Sequence, residues 1–508
     1  MRGLFLAVFA LLIIAGDSGR FTPQLTHNAS AVLSDSNVTP VQVSGALSLL
    51  WIASVNGSES AQAILISEFE KAHSVNFENS AISQDSASYW LEKLVKLENA
   101  DAAWLLYQML GEEGASERFM RLAAIGDVAE AQLAFAMSTD SPEKREKWLV
   151  RAASQDYVPA QAALADWYLL HGKQELAKPL LEATAELDMQ SAFKFGRLLW
   201  DEGNSEQAKT HFSRAARLGH KQAKRALNVI GRYTQYSPEG VPAFNWSSAS
   251  IQDSACLQRI QPFATSLATI IRADDLYNAF VNDDRLESLP LCVSPPIWLK
   301  SDVLKCDTNY RKAGVLGCDI APLAKAAKIR NFSHAVVIEE QGKANVQNGV
   351  MYLDISDAYS VFVHELAHFA GFADEYPIGR NMARRLCDEN GIVDFAPPNV
   401  IVDSEYWYAP HDTVANWLTI DPATIIAPAK TCSVLGKNSY KPSRRITFME
   451  HHDSGVIPPL YLVLWREQLR KQNIQRPISM NFFQAFHQKG NQKEAAHWLE
   501  KYEAFVGE

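Results

Sequence analysis

Residues 360–379 read SVFVHELAHFAGFADEYPIG and place two histidines, two glutamates and an aspartate among small and apolar side chains. The stretch 357–371 has the pattern of one buried helix, in which His364 and His368 are four residues apart and share a face. Glu365 lies on the adjacent flank, where its carboxylate can take a proton from an attacking water. This HExxH arrangement predicts a Zn²⁺ site, because neutral imidazoles bind zinc and leave a coordination position open.

The residues beyond His368 extend the motif to HExxHxxGxxD. Gly371 is expected to end the helix, since glycine can take the backbone angles of a sharp reversal. Asp374 follows three residues later and can return to the ion as third ligand, with Glu375 as the alternative. Burying these acidic groups and imidazoles together without a cation would be costly. The stretch therefore predicts a bound cation, and a hydrogen-bonded histidine pair on a buried helix is the plainer alternative.

The sequence on either side of this helix predicts a mixed α/β domain. Residues 334–340 and 349–355 have strand composition, and the second is the expected edge strand for pairing with an extended peptide. Ser356 or Asp357 is expected to cap the helix. Further along, Met449 lies in a predicted loop just before an amphipathic helix.

The segment HELAHFAGFADEY, residues 364–376, resembles the active-site signature of the IgA-peptidase family of zinc metallopeptidases, within the metzincin-like zincins. The resemblance implies a zincin-like α+β fold over 256–475 and a peptidase activity. It also implies these site residues: zinc ligands His364, His368 and Asp374, general base Glu365, and Met449 as the Met-turn beneath the metal. Most metzincins use histidine as the third ligand, so the aspartate follows the smaller branch of the family.

Three further residues are weaker candidates at this site. Tyr376 or His451 could line the cleft and stabilise an oxyanion, although a loop histidine is more often solvated. Met382 competes with Met449 for the Met-turn, but it lies close after Asp374 in the sequence.

The first half of the chain is rich in Ala and Leu and repeats itself. Four units share a small pair, then Asp or Gly, then Ala: LAAIGDVAEAQ at 122–132, RAASQDYVPAQ at 151–161, ATAELDMQSAF at 183–193 and RAARLGHKQAK at 214–224. They start 29, 32 and 31 residues apart, a period typical of helical-hairpin solenoids. The Asp or Gly suits the turn between helices, by side-chain capping or by a positive φ. This region resembles Sel1-like repeats, which implies a surface for a protein partner.

Residues 1–18 are expected to be a signal peptide, because one Arg precedes an apolar run that is too short to span a bilayer comfortably. An uncleaved N-terminal anchor is the alternative. No later stretch has the length and hydropathy of a second span, so the processed protein is expected to be periplasmic or secreted, in a bacterial envelope.

The six cysteines all fall in the C-terminal half and form no CxxC pair: Cys256, Cys292, Cys306, Cys318, Cys387 and Cys432. In an exported chain this pattern predicts disulfides within one domain. Fifteen pairings of six cysteines are conceivable, and six reduced core cysteines are the alternative.

These features predict a multidomain chain, an all-α helical-hairpin solenoid followed by an α+β zincin-like domain. The expected segments are 1–18 signal peptide, 19–85 N-terminal helical and partly irregular region, 86–232 Sel1-like repeats, 233–255 linker, 256–475 peptidase domain and 476–508 C-terminal helical hairpin. The formal net charge of −10 argues against nucleic acid or an anionic membrane as partner.

The function predicted from the sequence is that of an exported zinc metallopeptidase that binds a protein or peptide substrate and docks through its repeats. One rival hypothesis is an envelope interaction protein with an inactive zincin domain. Another is a zinc hydrolase of a non-peptide amide, such as a cell-wall link.

Overall fold

The computed structural model describes residues 19–507 except 36, 79, 112–116, 250–255, 313, 388–396, 404–411 and 472–474. The predicted signal peptide, 1–18, lies outside the described residues. The chain divides into two compact units, Met1–Lys224 and Arg225–Glu508. Among the described residues, none of the helices combines the length and the hydropathy needed to cross a bilayer.

The first unit is helical throughout its described part, which confirms the predicted helical solenoid. Its helices are α1 Thr22–Leu33, α2 Pro40–Val55, α3 Glu59–Ser74, α4 Gln84–Val95, α5 Ala100–Leu110, α6 Glu117–Ile125, α7 Ala129–Ser138, α8 Pro142–Ala153, α9 Val158–Leu170, α10 Gln174–Thr184, α11 Met189–Asp201 and α12 Ser205–Arg217. Each of them packs against the next along the chain. Helix α13, Lys221–Arg232, crosses the boundary between the units.

The repeated pattern accounts for how these helices approach each other. Its four alanines are fully buried: Ala131, Ala160, Ala192 and Ala223. The preceding turn is made in two ways. Asp127, Asp156 and Gly219 adopt positive φ, whereas the Asp188 carboxylate caps α11 by accepting the Ser191 N–H at 2.6 Å. Small side chains at the contacts and a stereotyped turn let successive helices stack.

The second unit is built on a mixed sheet. Its strands are β1 Gln235–Tyr236, β2 Gln258–Ala264, β3 Leu291–Val293, β4 Ile297–Leu299, β7 His334–Glu339, β8 Asn345–Gln347 and β9 Val350–Asp354. They are ordered β1-β4-β2-β7-β9-β8, with β3 beside β2. The pairings are parallel except for β8 with β9, which is antiparallel.

The predicted edge strand is placed differently in the structure. Residues 349–355 form β9, which lies between β7 and β8, so β8 is the strand that ends the sheet. The chain turns from β8 to β9 through Asn348 and Gly349, which both have positive φ. This two-residue hairpin converts part of the expected loop into an additional strand.

The second unit also contains helices. They are α14 Leu267–Val281, α15 Leu323–Arg330, α16 Tyr359–Phe369, α17 Arg380–Cys387, α18 Asp412–Ile420, α19 Pro459–Arg470, α20 Ile478–Gln488 and α21 Gln492–Val506. Helix α14 contacts β2, β7 and α16, and α16 contacts β8 and β9. Val350 and Tyr352 of β9 pack instead into a core with side chains of α15, α20 and α21. The predicted C-terminal hairpin corresponds to α20 and α21, which contact each other extensively.

The predicted linker, 233–255, is not a free connection over its described part. Strand β1 pairs with β4, and Trp246 is buried and donates its indole N–H to the Arg330 carbonyl at 2.5 Å. The Ser, Pro and Gly content that suggested a linker therefore belongs to irregular but packed chain.

All six cysteines are paired within the second unit, as Cys256–Cys292, Cys306–Cys318 and Cys387–Cys432. The Cys306–Cys318 bond joins a hairpin of β5 Lys305–Asp307 and β6 Gly317–Asp319. The Cys387–Cys432 bond links α17 to the neighbourhood of a small sheet ordered β10 Ile401–Asp403, β12 Asn438–Lys441 and β11 Ala427–Ala429. The predicted disulfide region is thus found in one unit, with one of the fifteen pairings.

Candidate metal centre

Helix α16 carries the HExxH residues and ends where the sequence predicts. The Gly371 N–H bonds the His368 carbonyl and the Phe372 N–H bonds the Ala367 carbonyl, at 3.0 and 3.1 Å. With Gly371 at φ +80°, this is a Schellman ending, which reverses the chain directly after the second histidine. The start differs from the prediction, since Ala358 is the N-cap and makes no side-chain bond.

Three side-chain atoms from this helix and the following loop converge on one point. His364 Nε2 lies 3.0 Å from Asp374 Oδ1, and His368 Nε2 lies 3.2 Å from the same oxygen. The two Nε2 atoms are 3.1 Å apart. Ligands about 2.0–2.1 Å from zinc in a tetrahedron stand about 3.3 Å from each other. The spacing of the three atoms therefore fits a small tetrahedral cation.

Backbone carbonyls fix both imidazoles in this orientation. His364 Nδ1 lies 2.8 Å from the Phe448 carbonyl, and His368 Nδ1 lies 2.8 Å from the Phe372 carbonyl. Since a carbonyl can only accept, each Nδ1 carries the hydrogen and donates it. Each Nε2 of the neutral ring is then left with its lone pair, which is the form that binds a metal.

The charges at the site are strongly coupled. Burial lowers the pKa of His368, but the Asp374 carboxylate, Glu365 and the Phe372 carbonyl together outweigh burial and raise that pKa to about 10. Burial likewise raises the pKa of Asp374, yet His368 and His364 hold it well below its ordinary value. The donor atoms thus favour a positive charge among them, which a proton or a cation can supply.

Glu365 is buried beside the histidines. Its carboxylate and the imidazole nitrogens of His364 and His368 lie within 4.8 Å of one another. Burial raises the pKa of Glu365, against the opposing effect of the two histidines. A carboxylate with a raised pKa is a better proton acceptor than an exposed one, as a general base requires.

Glu375, the alternative third ligand, does not reach the donor atoms. Its fully buried carboxylate accepts hydrogen bonds from Tyr461, Thr447, Asn399 and Lys441. Asp374 and Glu375 are adjacent in the loop after the helix, and of the two carboxylates only that of Asp374 joins the histidines.

The remaining candidates, Met449, Tyr376, His451 and Met382, differ in burial and in the residues that they contact. Met449 is fully buried, one residue after the carbonyl that orients His364. The ring of Tyr376 stacks over His364 with centroids 6.2 Å apart. Burial, together with the hydrogen bond to Asp374, raises the pKa of Tyr376. His451 is exposed and stacks on His452 rather than on the site, and Met382 is 57% exposed.

Several residues at the site carry no signal in the sequence. The carbonyls of Phe448 and Phe372 act through the backbone, which any residue type supplies. Lys441 and Tyr461 are far from the motif along the chain and resemble ordinary surface and helix residues. Within the described part of the chain, one other grouping combines metal-binding residue types, Cys306, Cys318 and Glu339, and its two cysteines are joined in a disulfide.

No family model matches the chain, and no curated protein matches it either. Solved structures do match, among them c5321, a protective antigen of uropathogenic Escherichia coli with an SLR fold, at 19% identity and a TM-score of 0.31. That match covers 36% of this chain and 44% of the antigen.

Two further similar structures are a Sel1 repeat protein from Oxalobacter formigenes and MamA. The first is 15% identical with a TM-score of 0.28, over 38% of this chain and 86% of its own. MamA is 18% identical with a TM-score of 0.23, over 31% and 96%. The structural neighbours thus include SLR and Sel1 repeat proteins, the class predicted for residues 86–232. The zinc-peptidase resemblance stays a prediction.

Proposed function

We propose that this protein is a zinc-dependent hydrolase of peptide bonds, related to the IgA-peptidase-like metzincins. The observation that carries the proposal is the convergence of His364 Nε2, His368 Nε2 and Asp374 Oδ1 within 3.0–3.2 Å of one another. Two neutral nitrogen donors and one carboxylate match the ligand preferences of Zn²⁺. When bound, zinc supplies a Lewis acid that polarises a carbonyl and activates water.

Glu365 is the proposed general base. It lies on the same helix as the two histidines, and its buried carboxylate has a raised pKa. It accepts the proton of the attacking water and returns it to the departing amine, so the peptide bond is replaced by a carboxylate and a free amine. Tyr376 is 41% exposed and hydrogen-bonds Asp374, and we propose that its hydroxyl exchanges this bond for one donated to a substrate oxygen.

The sheet offers a place for an extended substrate. Strand β8 ends the sheet, and helix α16 contacts β8 as well as β9. A peptide added beside β8 would hydrogen-bond its backbone to the strand, as in other β-augmentation complexes. We assign the substrate to the class of extended polypeptides for this reason.

The repeats are the proposed docking surface, and the three disulfides support action outside the cytoplasm, in the periplasm or after secretion. The repeat class of the structural neighbours favours a second candidate function, an interaction protein whose zincin-like domain is inactive. In that case zinc would stabilise the fold without turnover.

The test compares the wild type with Glu365→Gln. We expect one zinc per chain in both, measured by elemental analysis, and chelator-sensitive cleavage of unfolded casein by the wild type alone. The variant should lose at least about 100-fold in kcat/KM, because a general base contributes that much or more. Mass spectrometry of the products identifies the bond cleaved and separates a peptidase from a hydrolase of other amides.

Glu503→Gln is the matched control. Glu503 is exposed and lies in the same unit, and its substitution makes the same change of charge as Glu365→Gln. It should cleave as the wild type does. Undiminished cleavage by Glu365→Gln would disprove the assigned base, and stoichiometric zinc without any turnover in the wild type would favour the interaction protein.

A further inference from the structure

Glu375 is a buried carboxylate with an unusually complete set of donors. Its Oε1 accepts hydrogen bonds from Tyr461 Oη at 2.6 Å and Asn399 Nδ2 at 3.0 Å. Its Oε2 accepts from Thr447 Oγ1 at 2.5 Å and Lys441 Nζ at 3.1 Å. Burying a charge is costly unless it is paired and bonded in this way, so the network has a strongly preferred geometry.

The main chain around Glu375 is held from both sides. Its N–H donates to the Met449 carbonyl at 3.0 Å, and its carbonyl accepts from the Lys430 N–H at 2.9 Å. Just before it, the Asp374 carbonyl accepts from Thr431 Oγ1 at 2.7 Å. The main chain at Asp374 is therefore held by hydrogen bonds to its own carbonyl and to the backbone of Glu375, which leaves the Asp374 carboxylate for the metal donors.

Asn399 clamps the same loop at the preceding residue. Its side chain accepts from the Ala373 N–H at 2.9 Å and donates to the Ala373 carbonyl at 2.8 Å, besides donating to Glu375. These bonds immobilise residues 373–375 as a unit. A loop fixed at three consecutive residues presents the Asp374 side chain in one direction.

Lys441 supplies a positive charge to the network. Its side chain is 3% exposed, and its ammonium also contacts the Glu450 carboxylate and donates to the Arg445 carbonyl at 3.0 Å. Thr447, which bonds Glu375, also accepts the Met449 N–H at 3.2 Å. The network thus joins the loop of Asp374 to the turn whose Phe448 carbonyl orients His364.

We infer that Glu375 and Lys441 are positioning residues that set the affinity of the site for Zn²⁺, by fixing Asp374 and the turn that orients His364. The inference rests on the proposed metal centre. The carboxylate of Glu375 bonds to Tyr461, Asn399, Thr447 and Lys441 and not to the donor atoms. It acts through Asp374, as partners of metal ligands do in other sites, where their loss costs about 10- to 100-fold in metal affinity.

The experiment measures the dissociation constant of Zn²⁺ by competition with a chromophoric chelator, in the full chain. Glu375→Gln keeps the size of the side chain, but an amide NH₂ only donates, so the pair of donors that it faces loses its acceptor, whether Lys441 and Thr447 or Tyr461 and Asn399. We expect zinc affinity to fall about 10- to 100-fold. Tyr461→Phe removes a single donor and should cause a smaller fall, which keeps the inference testable if the Gln variant does not fold.

A double-mutant cycle separates positioning from general destabilisation. If Glu375 acts through Asp374, Glu375→Gln should have little further effect on zinc affinity in an Asp374→Ala background, although it lowers the thermal stability of the zinc-free protein in both backgrounds. Glu503→Gln is the control, because Glu503 is exposed, lies outside this network and undergoes the same change from carboxylate to amide. It should bind zinc within about twofold of the wild type, inside the error of additivity.

The outcomes distinguish this inference from the proposed function. If the wild type fails to bind one zinc, the metal centre itself is refuted. If the wild type binds zinc and Glu375→Gln and Tyr461→Phe bind it equally well, or if Glu375→Gln weakens binding to the same degree without Asp374, the positioning role is overturned and the metal centre stands.

Discussion

Two adjacent carboxylates, Asp374 and Glu375, have opposite roles in this molecule. Asp374 Oδ1 lies beside the imidazole nitrogens, whereas the Glu375 carboxylate accepts hydrogen bonds from four other side chains. The sequence spacing predicts that one of the two reaches the histidines. It cannot choose between them, because the choice depends on partners that are 24 to 86 residues away along the chain.

Spacing along a helix, in contrast, is sufficient to predict the histidine pair. His364 and His368 must share a face once the helix forms, and Gly371 must reverse the chain once it ends. These are local consequences of backbone geometry. The carbonyl that orients His364 belongs to Phe448, 84 residues away along the chain, whereas the carbonyl that orients His368 belongs to Phe372, four residues away. Only the orientation of His368 could therefore be predicted from the turn.

Glu339 gives a residue-scale prediction that concerns pH. Burial, with a smaller contribution from Glu340, raises its pKa from the ordinary 4.5 to about 7. Between those values the folded protein holds a proton that the unfolded chain releases, so this contribution to stability is full below pH 4.5 and is lost as the pH rises through 7. Glu339→Gln, which mimics the protonated acid, should match the wild type at pH 5.

At pH 8 the same variant should be more stable than the wild type, by about 2 kcal/mol after allowance for its partial exposure. Urea unfolding at both pH values checks this, with the exposed Glu503→Gln as control. A stability difference that does not change between pH 5 and pH 8 would contradict the raised pKa.

At the scale of elements, helix α16 and strands β7 and β9 follow from composition and periodicity, but β8 does not. Residues 345–347 are too few and too polar to read as a strand. The available signal was the Asn348-Gly349 dipeptide, which favours a two-residue hairpin when strands flank it. The order of the strands depends on long-range pairing and could not be derived from local sequence, which is why β9 was wrongly expected at the edge.

The hairpin turn itself provides the element-scale prediction. Gly349 has φ +79°, and a Cβ there would lie 2.4 Å from the Ile478 nitrogen and 2.7 Å from the Arg476 carbonyl oxygen. Those are backbone atoms that cannot rotate away. Gly349→Ala should therefore cost about 2 kcal/mol or more of unfolding free energy, through conformational strain and overpacking, and should displace β8.

Gly231→Ala is the matched control for this substitution, because Gly231 lies in helix α13 with open space around it. It should be neutral or slightly stabilising, since Ala favours a helix. Equal urea midpoints for Gly349→Ala and the wild type would show that the hairpin tolerates a side chain, contrary to its geometry.

At the scale of the whole molecule, each of the two compact units is stabilised internally by a different set of interactions. The first relies on stacked small residues, and exposed ion pairs link successive repeats, such as Asp127 with Arg151 and Glu146 with Lys173. Such exposed pairs contribute under about 1 kcal/mol each. The second unit contains all three disulfides and all the proposed metal donors.

This division predicts a selective effect of zinc on unfolding. In calorimetry of the full chain, free zinc at about 100 times its dissociation constant should stabilise the second unit by about 2.7 kcal/mol. Reduction of the disulfides should lower the unfolding temperature of the second unit, because the disulfides constrain that unit. Leu65→Ala leaves a cavity at a fully buried position of the first unit. It should lower the unfolding free energy of the first unit by about 2–5 kcal/mol and leave the effect of zinc on the second unit unchanged. If zinc raised the transition that Leu65→Ala lowers, the metal would be stabilising the repeats, and its assignment to the histidine helix would be wrong.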